Sequence, residues 1–70
     1  MQFLVVVVKG PKSFRAHVPD LPGCVAAAET RDEVLELAGE AIKSHLQDLR
    51  EQKKLIPVPT AFSAMIEVMV

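Results

Sequence analysis

Five residues in the first half of the chain, Pro19-Asp20-Leu21-Pro22-Gly23, fit neither a helix nor the middle of a sheet. Each proline fixes its own φ, lacks an amide donor, and pushes the residue before it out of the helical region. Gly23 adds a position that tolerates positive φ. Leu21 is therefore held between two locked residues in a stiff turn. Shortly afterwards, Thr30-Arg31-Asp32-Glu33 has the spacing of a capping box. In such a box the Thr30 hydroxyl accepts from the Glu33 amide, and the Glu33 carboxylate reaches back to Thr30. Turn and cap together separate a strand-forming first part from a helical second part.

Residues 3–8 are apolar without interruption and end in four valines. A strand buried on both faces reads this way. Alternation puts Phe3, Val5 and Val7 on one side and Leu4, Val6 and Val8 on the other. After a turn at Lys9-Gly10-Pro11-Lys12, residues 13–18 alternate, with Phe14, Ala16 and Val18 opposite Ser13, Arg15 and His17. The short connection makes these two strands an antiparallel hairpin. Residues 24–28 read as a third strand with small side chains.

The helix opened by Thr30 is predicted to run to about Lys53. Val34, Leu35, Ala38, Ala41, Ile42, His45, Leu46 and Leu49 gather on one stripe, with Leu37 at its margin. Glu36, Glu40, Lys43, Gln47, Arg50 and Glu51 occupy the opposite side. Ile56-Pro57-Val58-Pro59-Thr60 is an extended linker, because its two prolines exclude helix. Residues 62–70 alternate again, Phe62, Ala64, Ile66, Val68 and Val70 against Ser63, Met65, Glu67 and Met69. They read as a last strand.

The predicted fold is α+β, in the order β-β-β-α-β. It is a mixed, mostly antiparallel four-stranded sheet with one helix on one face. A right-handed crossover would lay the last strand parallel beside the first. One helix covers only one face, and 50% of the residues are hydrophobic. The uncovered face is therefore expected to meet a second copy, giving a dimer or higher homo-oligomer.

Residues able to do chemistry are scarce. A net charge of −1 gives no electrostatic footprint for nucleic acid. The first strand has no carboxylate for two-metal phosphodiester chemistry. Asp20, Glu29, Asp32 and Glu33 read as loop residues and caps. His17 reads as a surface or interface histidine, His45 as one inside the apolar stripe, and Cys24 as a small buried thiol. Gly10, Gly23 and Gly39 are too scattered to cradle phosphate. No catalytic, cofactor-binding or metal-binding residue is assigned, and no enzyme activity is expected. The apolar start has no basic leader and is too short to span a bilayer. A cytoplasmic protein with no membrane partner is expected.

The run Phe14-Arg15-Ala16-His17-Val18-Pro19-Asp20-Leu21-Pro22-Gly23-Cys24-Val25-Ala26 carries a resemblance. With Thr30-x-x-Glu33, Ala38-Gly39-Glu40-Ala41-Ile42 and the Ile56-Pro57-Val58-Pro59-Thr60 linker, it is similar to the HicB antitoxin family. The likeness covers roughly residues 3–60. It implies a degraded ribonuclease-H-like fold, without catalytic acids, that binds and blocks a small RNA-cleaving HicA toxin. Many members carry a C-terminal DNA-binding domain that represses their own operon. This chain is read as one HicB-like domain over residues 1–70 without that module, so direct DNA binding is not expected.

The expected function is a non-enzymatic, antitoxin-like protein that neutralises a HicA-type toxin by masking it, with His17, Asp20 and Leu21 as candidate partner-binding residues. His17 stands where family members often have an aromatic. The alternative is a stand-alone homo-oligomeric regulatory or small-ligand-binding domain with no toxin partner.

Overall fold

β-branched side chains pack well on a pleated surface, and Val6, Val7 and Val8 nucleate the first strand. In the computed structural model, which describes residues 1–70, β1 spans Val6–Lys9, β2 Phe14–His17 and β3 Val25–Ala28. They form an antiparallel sheet in the order β1-β2-β3. The hairpin between β1 and β2 closes through the Gly10 amide, which donates to the Ser13 carbonyl at 2.8 Å. Register places Val6 opposite His17 and Val8 opposite Arg15, while His17 and Arg15 in turn face Val25 and Ala27.

A single helix, α1, spans Arg31–Glu51. Thr30 is its cap: its backbone is extended, and its hydroxyl accepts from the Glu33 amide at 3.1 Å. Asp32 and Glu33 in the first turn and Arg50 in the last complement the helix dipole. The helix lies across β2 and β3. Its Val34 and Ala38 are buried with Ala16 of β2, and Val5, Val7, Phe14, Ala26 and Ala28 close around them. The alanines of β2 and β3 let the helix approach closely. Burying an aliphatic side chain the size of Val34 stabilises by roughly 1.5–3 kcal/mol. Packing thus outweighs the cap, which contributes ~1 kcal/mol. No helix is long and apolar enough to cross a membrane.

Two expectations are corrected. The sheet has three strands and not four, so the order is β-β-β-α within the α+β class. Residues 62–70 have the alternation of a strand, yet they form no backbone hydrogen bond and every one of them is exposed. A strand exists only through ladder bonds to a neighbour, and this segment has none in its own chain. The parallel pairing with β1 and the crossover it required are absent.

The helix also stops at Glu51, before the prolines act. Lys54 donates to the Leu49 carbonyl at 2.8 Å and Lys53 to the Arg50 carbonyl at 3.0 Å, the bond pair of a Schellman cap. This geometry forces Lys53 to a φ of 56°, in the left-handed region.

That conformation costs a residue bearing a Cβ about 1–2 kcal/mol. Lys53→Gly is therefore expected to stabilise the protein by roughly 0.5–1 kcal/mol after the added chain entropy of glycine. Urea unfolding followed by circular dichroism measures the change, and an unchanged or lower midpoint contradicts it.

Candidate functional site

The proline turn is closed by its own backbone. Leu21 donates to the Val18 carbonyl, Cys24 to the Leu21 carbonyl and Val18 to the Cys24 carbonyl, at 3.0, 3.0 and 3.1 Å. Gly23 takes a φ of 84°, which its missing side chain permits. Leu21 is fully buried, together with Val18 and Cys24, and Phe3, Val5, Ala41, Ile42 and Leu46 pack around this cluster. The stiff turn therefore drives one leucine between the first residues of the chain and the middle of α1. Burial also raises the pKa of the Cys24 thiol, which works against thiolate chemistry there.

Asp20 points the other way and fastens the chain beyond the helix. Its Oδ1 accepts from the Thr60 hydroxyl at 2.8 Å, and its Oδ2 accepts from the amides of Thr60 and Ala61 at 3.1 and 3.0 Å. These bonds, led by the Ala61 amide and then the Thr60 hydroxyl, hold the Asp20 carboxyl below the usual carboxylate range against a smaller opposing desolvation. The linker thus ends on the same turn that starts the third strand. No period in the sequence relates positions so far apart; the only one-dimensional signals are an aspartate between two prolines and a threonine after Pro59.

Because α1 occupies one face of the sheet, the other stays open. Strand alternation gathers Val6 and Val8 of β1, Arg15 and His17 of β2, and Val25 and Ala27 of β3 on that face. Val8 is 57% exposed and Val25 66% exposed. A shallow depression runs across the face, lined by Val8, Arg15, His17, Val25 and Ala27 together with the backbone at Ala16 and Ala26. Apolar side chains around an arginine and a histidine, on a flat rigid sheet, have the composition of a protein-docking surface.

Of the three candidate partner-binding residues, His17 lies on the open face, Asp20 binds the linker, and Leu21 lies in the core. His45 is half-buried on α1 and so lies on the opposite side of the sheet from His17. Glu29, Asp32 and Glu33 are exposed around the helix start, and no three His, Cys, Asp or Glu side chains come together as a metal-binding group. Arg15, read from the sequence only as part of a polar strand face, proves to share its surface with His17 and two exposed valines.

Residues 3–69 match the family described as "HicB_like antitoxin of bacterial toxin-antitoxin system". A UPF0150 protein of Thermoplasma acidophilum, Ta0767, is 31% identical over 58 residues, which is 81% of this chain and 84% of that protein. An uncharacterized 14.9 kDa protein from the rep-hol intergenic region of Haemophilus phage HP1 is 32% identical over 57 residues, 81% of this chain and 43% of its own length. The chain thus spans less than half of the phage protein.

The Asp20 clasp predicts a pH signature. A carboxylate whose folded pKa is lowered contributes stability that is present above its unfolded pKa and lost as pH falls through the folded one. Asp20→Asn is therefore expected to lower the Tm at neutral pH, and the gap to the wild type is expected to close as pH drops below the ordinary value of 3.8. A gap that persists unchanged into strong acid contradicts the clasp.

Proposed function

The chain belongs to the HicB-like antitoxin family of bacterial toxin–antitoxin systems, and on that premise we propose that it neutralises a small RNA-cleaving toxin of the HicA type by masking it. The observation that carries this reading is the open sheet face, where Val8 and Val25 stand exposed beside Arg15 and His17. Exposed apolar surface on a small domain favours a partner that removes it from water. Arginine in such a setting supplies several fixed donors to a partner's carbonyls or carboxylates. The protein does no chemistry in this reading; it acts by occupancy, in the cytoplasm where RNA is cut.

His17 is the direct contact among the candidate residues. Asp20 and Leu21 act from beneath by holding the turn that leads from β2 into β3. A rigid face loses little entropy when it docks, which favours affinity.

A second reading draws on the same valines. A flat face with small Ala27 at its side also suits a copy of itself, as in a stand-alone homo-oligomeric regulator with no toxin partner.

Co-expression separates the two. The wild-type chain is expected to restore growth to cells producing a HicA-type toxin from the same genome. Val8→Asp combined with Val25→Asp places charges on the face without touching the core. It is expected to weaken the complex at least about tenfold in Kd, or ~1.4 kcal/mol, and to lose rescue. Glu36→Ala, on the outer side of α1, retains rescue. Rescue by the face variant removes the face from the mechanism, and the absence of any complex with the wild-type chain favours the second reading.

A further inference from the structure

Residues 62–70 are the largest apolar feature that the docking face does not use. Phe62 is 84% exposed, Met65 100%, Ile66 82% and Met69 94%. The radius of gyration is 14.0 Å, with a longest extent of 49 Å, against about 11 Å expected for a compact chain of this length. The excess length follows from a tail that leaves the body of the molecule. The family match runs through residue 69 and so includes this tail.

The sheet carries the complementary vacancy. β1 is an edge strand, paired only with β2, and α1 lies over β2 and β3. An open edge is a row of unpaired donors and acceptors, which proteins usually blunt with proline or charge. Along β1 the residues Val6, Val7 and Val8 do neither, and the only charge is the final Lys9. The tail has no proline, one charge at Glu67, and strict alternation with one wholly apolar side. Its nine residues extend to roughly 30 Å, more than the length of β1. The two features also meet in space: Ala61, Phe62 and Ser63 line a depression with Gln2, Phe3 and Leu4, the chain that leads into β1.

We propose that residues 62–70 are an exchanged strand, pairing with the free edge of β1 in a second copy of this chain. Each copy gives one strand and receives one, so the contact is isologous and closes at a dimer. The exchange satisfies two edges, buries the tail, and leaves the open face of each sheet free. It goes beyond the docking proposal and does not depend on it.

Two measurements test it on the 70-residue chain. In sedimentation equilibrium the wild type is expected at twice its monomer mass of 7.7 kDa. Ile66→Asp with Val68→Asp is expected at the monomer mass, with its helical circular dichroism retained because the tail packs on neither the sheet nor the helix. Val25→Asp with Ala27→Asp, on the open face of β3 and away from the β1 edge, is expected to remain dimeric, so failure of the exchange and failure of the docking face are distinguishable. For the unmodified chain, isotope-filtered NMR of a mixed labelled and unlabelled sample is expected to show contacts between the Ile66 and Val68 methyls of one copy and the Val6–Lys9 strand of the other. A monomeric wild type, a tail variant that stays dimeric, tail contacts confined to one chain, or tail contacts that appear only with the toxin each overturn the proposal.

Discussion

One helix cannot cover both faces of a sheet, and the rest of this structure depends on that constraint. With 70 residues, half of them hydrophobic, the chain builds one helix and three strands. The helix closes over Ala16, Ala26 and Ala28 with Val34 and Ala38 against them. The opposite side of the same strands has nothing left to cover it. Only six residues are buried, in two small clusters, which is a thin core for a domain near the lower size limit for independent folding. Function and stability therefore press in the same direction, toward contact with another molecule.

The proline turn makes that open face rigid. Its short backbone bonds fix where β2 ends and β3 begins, Leu21 anchors the turn in the second core cluster, and Asp20 holds the linker from the end of the helix against it. The three together set the position of Val25 and Ala27 relative to His17 and Arg15. The sheet thus presents its valines, arginine and histidine in one fixed pattern.

Much of this was legible in the residues. The hairpin, the third strand, the helix with its Thr30 cap, and the positive φ at Gly23 each follow from local patterns that the structure reproduces. Their boundaries shift by a few residues, since the ladder selects which apolar residues pair; β1 begins at Val6 although the apolar run begins at Phe3. Residues 62–70 show where local reading stops. Alternation states that a segment suits a strand, but the pairing edge is a property of the assembled sheet, and this chain offers the segment no partner of its own. The Asp20–Thr60 clasp lies beyond any short-range pattern for the same reason. The helix end was masked by Lys53, a residue that gives no sign of a left-handed cap, where a glycine would have announced it.

The proposed masking requires the open sheet face, and not the outer side of the helix, to receive the partner. Backbone amide chemical shifts recorded on the labelled chain as the HicA-type protein is added test it most directly. The largest changes are expected at Val6, Val8, Arg15, His17, Val25 and Ala27, with Glu36, Glu40 and Lys43 on α1 almost unmoved. Changes concentrated on α1 with the open face silent would contradict it.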